Sequence, residues 1–360
     1  MDPRRQARRT TIYDIAALLG TSPSAVSAVL NGSWQKRRIG KALAERIQAA
    51  AKAEGYAVNL QAAGLRREHS RIIGMIVPKY DNRYLGAIAE RFEVMARARG
   101  LFPIVTCTMR DPKLEAEAAQ AMISHQVDWL VATGATDPDR INELCAASGV
   151  PTLNLDLPGR RAPSVISDNF AGARDLTARI LECCHAEFGT VAPLLFVGGR
   201  AGDHNTMERL RGFQAAHAAW GLAVTDDLVL TCGYAAEKVE AALDGLARQG
   251  STLPNVLFVN STISLEGVVR WIRTSPAYAG RPVRLGCFDY DPFASLLEET
   301  VAMVQQDVDG LLAALFRLID AGPEAAVVSG ADAPIILVPP LGPLLQADGR
   351  AMPLAALQSL

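Results

Sequence analysis

Residues 11–32 read TIYDIAALLGTSPSAVSAVLNG, and their periodicity decides what the front of this 360-residue chain must be. Thr11 and Asp14 fit a capping box, and Ile12, Ile15, Ala16 and Leu19 recur at helical spacing, so the pattern predicts a short helix ending near Gly20. Ser22 then caps a second helix with Pro23 at its first position, where a missing N–H costs nothing, and Val26, Val29 and Leu30 face inward. Asn31-Gly32 ends it. Two short helices joined by a turn of about three residues make a helix-turn-helix. The small set Ser24, Ala25, Ser27 and Ala28 is expected on the outer face of the second helix, the face that enters a major groove. A third helix, expected over residues 41–54, carries Leu43, Ile47 and Ala50 or Ala51 at core spacing and closes the module.

The charge divides in the same place. Residues 1–70 hold 12 Lys/Arg against 5 Asp/Glu, the remainder 24 against 33, so a total of −2 conceals +7 and −9. A basic module on an acidic body points to a polyanion partner at one end and a different task at the other, although a solvated basic tail has the same composition. The longest late uncharged stretch, residues 333–347, has 15 residues and four prolines, which does not suit a membrane span. No apolar run follows the basic start, so no secretory leader is read and a cytoplasmic protein without membrane attachment is expected. Six cysteines without metal-type spacing read as reduced thiols, with adjacent Cys183 and Cys184 packing a helix.

From Arg71 onward, short apolar runs alternate with amphipathic stretches. Residues 72–77, 101–107, 129–132, 152–155, 194–197, 256–259 and 285–288 read as buried strands, and residues 87–98 and 207–220 as helices between them. Such alternation implies parallel sheets covered on both faces, and some 280 residues of it suit two α/β lobes better than one. Catalytic signatures are absent: no G-x-S-x-G, no phosphate-cradling Walker loop, no H-E-x-x-H, and five scattered histidines. Gly198-Gly199-Arg200-Ala201-Gly202 reads as a tight strand-to-helix loop. No cofactor, metal or catalytic residue is expected.

Residues 11–32, followed by Gly55-Tyr56 and Asn59, resemble the LacI/GalR transcriptional regulators over about 60 residues, at matching spacing. The resemblance implies an all-α helix-turn-helix domain over 1–57, a hinge over 58–70, and a periplasmic-binding-protein-like α/β body of two parallel-sheet lobes. The lobes would be 71–167 with 305–322, and 168–304 with 323–348, joined by crossings near Ser167-Asp168, 304–307 and 321–333. It places DNA contacts at Thr11, Ser22, Pro23, Ser24, Ala25, Ser27, Ala28 and Asn31, and hinge contacts at Asn59, Ala62 and Leu65, with Leu65 as a minor-groove wedge. Ala28 departs from the family, which usually has arginine after the second serine; operator preference should differ accordingly.

The same resemblance places an effector between the lobes, bordered by Asn82, Tyr84, Asp156, Arg209, Asn260, Asp289 and Gln306, with Ser261 replacing the aspartate that usually follows the asparagine. Two carboxylates, an arginine and amides facing one cleft suit a polyol, since ionised acceptors take bonds from vicinal hydroxyls while Arg donates. Phe288, Tyr290 or Phe293 could add an apolar face for a sugar ring. Plainer readings exist: Asp289 capping a helix, Arg209 bridging two acids, Asp156 in a solvated loop. The function implied is a homodimeric repressor of carbohydrate genes, binding palindromic operator DNA under control of a sugar-like effector. A purine or other corepressor, and a cytoplasmic sugar-modifying enzyme, are the alternatives.

Overall fold

The computed structural model describes residues 10–56, 69–249, 253–328 and 332–345, in two compact units, 1–70 and 71–360. In the first, α1 (Ile12–Leu19), α2 (Pro23–Leu30) and α3 (Lys41–Ala53) surround Ile15, Ala16, Val26, Val29, Ala44, Ile47 and Ala51. The capping box forms: Thr11 Oγ1 accepts from Asp14 N at 3.3 Å, and Thr11 N donates to Asp14 Oδ2 at 2.8 Å. Gly20 takes the left-handed conformation (φ 62°) that stops α1, Ser22 caps α2, and the two axes meet at 111°. The turn geometry is that of a helix-turn-helix.

On α2, Ser24 is exposed while Ala25 and Ser27 are half-buried. Ala28 is not on the outer face as expected: it is 4% exposed. The chain folds back past it, with Ser33 donating both its N–H (2.9 Å) and its hydroxyl (3.3 Å) to the Ala28 carbonyl. Asn31 ends the helix and donates to Ser27 Oγ at 3.2 Å. Asn59, Ala62 and Leu65 lie outside the described residues.

The second unit holds two six-stranded sheets. The N-terminal lobe is built on β1 (Ile72–Val77), β2 (Phe102–Cys107), β3 (Trp129–Thr133), β4 (Thr152–Leu155), β5 (Ser164–Ser167) and β13 (Ile335–Val338), in the order β13-β5-β4-β3-β1-β2, all parallel. The C-terminal lobe has β6 (Leu195–Val197), β8 (Val229–Leu230), β10 (Val256–Val259), β11 (Arg284–Phe288), β12 (Thr300–Val304) and β14 (Pro343–Leu345), in the order β14-β12-β11-β10-β6-β8, with only β14 antiparallel. A small ribbon pairs β7 (Gly199–Arg200) with β9 (Cys232–Gly233). Apolar strands buried on both faces require helices on both sides. These are α4 (Arg83–Ala98), α5 (Pro112–Ser124), α6 (Pro138–Ala146) and α11 (Val308–Asp320) in the N-terminal lobe. In the other they are α7 (Asn169–Phe188), α8 (His204–Ala219), α9 (Ala236–Arg248) and α10 (Thr262–Thr274).

The chain passes between lobes after β5, after β12, and a third time at 339–342, not at 321–333 as expected. Residues 323–338 stay in the N-terminal lobe because β13 adds in parallel to β5. Its Ile335 and Leu337 face outward at the sheet edge, and the proline-rich surroundings mask the strand pattern. No single helix among the described residues is long and apolar enough to cross a membrane, and the six cysteines form no disulfide. Thr11→Ala removes one half of the capping box. Amides of α1–α3 should then exchange about fivefold faster in native-state hydrogen exchange, as expected for a loss of about 1 kcal/mol. Rates in the second unit should stay unchanged.

Candidate functional site

In a parallel sheet every strand ends on the same side, and ligands gather in the crevice beyond those ends. Here two such ends face each other. Asp156 follows β4 in one lobe and Asp289 follows β11 in the other, both buried and both in left-handed backbone (φ 71° and 79°). Aspartate tolerates that conformation better than most residues, and it turns the carboxylates into the cleft. Asn82, Tyr84, Asp156, Arg209, Asp289 and Gln306 all border this cleft, a narrow space of about 40 Å³.

Their partners are specific. Tyr84 donates its hydroxyl to Asp156 Oδ1 (3.1 Å), and Asn205 of α8 reaches across from the other lobe to Asp156 Oδ1 (3.3 Å) and to its carbonyl (3.0 Å). Arg209 lies over Phe288, its guanidinium carbon 3.8 Å from the ring centroid. It donates to Asn169 Oδ1 (2.8 Å) and to the carbonyl of Asn260 (2.5 Å). Gln306 donates to Asp289 and accepts from Ser167, so one amide links a cleft carboxylate to two crossings. Asn82 spends its Oδ1 capping α4 through Leu85 N (3.0 Å).

Asn260 departs from expectation. Its side chain is fully buried and neither amide atom has a hydrogen-bond partner; its backbone carbonyl holds Arg209, while neighbouring Ser261 borders the cleft. The aromatic platform is also displaced. Phe288 lies beneath Arg209, Phe293 is 74% exposed, and Tyr290 packs on the C-terminal-lobe core. Residues not anticipated include Arg110, Asp203, Asn205 and Tyr234. Asn205 was legible, standing four residues before Arg209 on one helix face. Arg110 follows β2 in left-handed backbone (φ 57°), and Tyr234 arrives on the β7–β9 ribbon; neither carries a local signal.

Residues 73–318 match the periplasmic binding protein domain family. The chain is 57% identical over 216 residues to the ribitol operon repressor of Klebsiella aerogenes, covering 60% of this chain and 80% of the relative. The chain belongs to the LacI/GalR family. The fold agrees with solved structures of this LacI/GalR kind. A lac repressor dimer bound to operator and the anti-inducer ONPF superposes with a TM-score of 0.74 at 20% identity, covering 94% of this chain and 98% of that one. A Cra regulator from Pseudomonas putida in complex with fructose 1-phosphate superposes with 0.65 at 22% identity, covering 78% and 100%.

Electrostatics in this LacI/GalR cleft favour the protonated acid. Burial, with a contribution from Asp289, raises the Asp156 carboxyl to about 6 against the pull of Arg110 and Arg209. Burial likewise raises Asp289, opposed by Arg209 and Gln306, and raises the Tyr84 phenol further. A carboxyl raised in the folded state binds its proton more tightly there than when unfolded. Its contribution to stability is therefore complete below the ordinary carboxylate range and is lost as pH rises through about 6. Asp156→Asn keeps the acceptor and tolerates positive φ. It should stabilise the protein at neutral pH by on the order of 2 kcal/mol, with the gain fading in calorimetry as pH falls toward 4.

At the mouth, Arg83 Nε of α4 meets Asp291 Oδ2 of the opposite lobe at 3.0 Å. Although partial burial would raise it, the N–H groups of Ala294 and Phe293, with Arg83, hold the Asp291 carboxyl below its ordinary value. The pair is partly exposed, so Arg83→Gln should cost closure no more than about 1 kcal/mol. The expected signature is a larger radius of gyration in low-salt scattering that merges with the parent at high salt; an unchanged low-salt radius counts against the latch.

Proposed function

We propose that this chain represses a carbohydrate-utilisation operon, binding operator DNA as a dimer through the helix-turn-helix and releasing it when an effector closes the cleft. The observation that carries the effector reading is the pair Asp156 and Asp289, both buried, drawn on by Arg110 and Arg209 only through the field of the cleft, and offered from opposite lobes. Two such groups are costly in an empty cleft and useful in one that receives hydroxyl donors. Support comes from the ribitol operon repressor on the sequence side and from the fructose 1-phosphate complex on the fold side. A protein acting on operator DNA works in the cytoplasm. The ribitol and sucrose operon relatives are repressors by name, and no catalytic role is proposed for this chain.

Population shift supplies the mechanism. An effector bridging Asp156 and Asp289 binds the closed arrangement better than the open one, and can move the equilibrium only by that difference. The decisive measurement is operator affinity by fluorescence anisotropy with and without candidate sugars and nucleobases. Weaker operator binding with a sugar supports induction; tighter binding with a nucleobase supports the corepressor alternative. Arg209→Ala and Asp289→Asn should each abolish the response while leaving operator affinity unchanged, and a normal response in both removes them from the site. Hydroxyl donors favour ionised carboxylates, so effector affinity should fall about tenfold for each pH unit below about 6 as Asp156 takes its proton. Titration calorimetry should show that dependence flattened in Asp156→Asn.

A further inference from the structure

We propose that the turn over residues 35–38, directly after α2, grips the DNA phosphate backbone, so that operator affinity comes from this turn while α2 supplies sequence preference. This rests on the operator reading above and concerns residues that it leaves out. Helix α2 reads PSAVSAVL and has no charged side chain. Of its hydroxyls, Ser27 already accepts from Asn31 (3.2 Å), and Ser24 has its oxygen 3.0 Å from that of Ser22. Strong base contacts come from bidentate Arg, Lys, Asn or Gln, and the neutralisation of phosphates from Arg and Lys. A helix of small uncharged residues neutralises no phosphate.

The cations stand just beyond it. Residues 10–56 hold six Lys and Arg, and three of them are the consecutive Lys36, Arg37 and Arg38. All three are exposed, and among the described residues none is paired with a carboxylate, whereas Lys41 meets Glu45 at 3.9 Å. Adjacent like charges repel one another, and in a solvated tail they spread apart. Here the backbone holds them together. Arg37 N donates to the carbonyls of Ser33 (3.3 Å) and Trp34 (3.2 Å), Arg38 N to that of Gln35 (3.1 Å), and Ile39 N to that of Trp34 (3.0 Å). Trp34 and Ile39, the two feet of the turn, pack against the three-helix core. Arg38 sits in left-handed backbone (φ 57°), which a long side chain adopts rarely and keeps only where its surroundings impose it. The three charges form a fixed tip.

Its place suits a phosphate wall. The eight residues of α2 make a helix about 12 Å long, and the major groove is about 12 Å wide. With α2 in the groove, a turn hung on its last residue stands at the groove edge, where the backbone runs. Each cation that meets a phosphate there releases a condensed counterion, so the affinity gained is independent of sequence and falls with salt.

The full-length protein is titrated by fluorescence anisotropy, between about 50 and 200 mM salt, against two duplexes of equal length: one that the parent selects from random-sequence DNA, and a scrambled one. Replacing all three cations (K36Q/R37Q/R38Q) should lower the slope of log affinity against log salt by about 0.9 for each lost contact, about 5 for the two readers of a dimer. Affinity should fall alike on both duplexes, leaving their ratio within about twofold of the parent. The charge-retaining K36R/R37K/R38K should keep the parent slope. Arg38→Gly, which relieves the backbone, should lower the slope by about 2 for the dimer without loss of thermal stability. An unchanged slope in the triple glutamine variant or in Arg38→Gly overturns the inference. A loss confined to the selected duplex also overturns it, since the turn would then be reading bases. A parent that selects no sequence removes the operator reading, and the inference with it.

Discussion

Arg209 carries a charge that it cannot give up, in a place almost closed to water. A permanent buried cation is tolerated only where acceptors and opposite charge surround it, and that requirement organises the cleft. The guanidinium takes an amide oxygen from the start of α7, a carbonyl from the end of β10 and the face of Phe288 at the end of β11. Three elements of one lobe are thereby held in register by a single side chain. Its field also lowers the proton affinity of Asp156 and Asp289, although burial outweighs it at both. Without that cation, two desolvated carboxylates would face each other with Arg110 as the remaining offset at Asp156.

The connection from cleft to crossings is short. Gln306 can satisfy both neighbours in one orientation only, its NH2 toward Asp289 and its oxygen toward the Ser167 hydroxyl. Backbone bonds tie the three crossings together: Asp168 N to the Val338 carbonyl, and Leu341 N to the Gln305 carbonyl, each at 2.9 Å. Whatever engages Asp289 therefore acts within one residue of the segments about which the lobes turn. No long chain of couplings is needed within this unit.

Legibility in the sequence followed the physics of each element. Caps, prolines and period placed α1 and α2 to within a residue, because those signals are local. The central strands β1, β3 and β10 stood out as continuous apolar runs, the mark of burial on both faces. Strands β5 and β13 did not. Ser164–Ser167 is half polar, and Ile335–Val338 sits among prolines, so β13 was unread and the third crossing misplaced. Ala28 was misjudged because its burial comes from the turn at Ser33 and not from the helical wheel. In the cleft, residues near strand ends were recoverable, whereas Arg110 and Tyr234 depend on how loops from different lobes meet. Asn260 shows the limit most clearly: the position matters, but through its carbonyl, which no residue identity reveals.

The late strands have a consequence for synthesis. The N-terminal lobe needs α11, whose Leu311, Leu315 and Phe316 fill its core, and then β13 at its edge, while the other lobe is closed by β14. Both sheets thus wait for the last fifth of the described chain, whereas the helix-turn-helix completes its core from residues 12–56 alone. On the ribosome the DNA reader can fold while neither lobe is finished. A chain arrested before residue 300 would leave that reader attached to a body unable to answer any effector, so control is the last property this protein acquires.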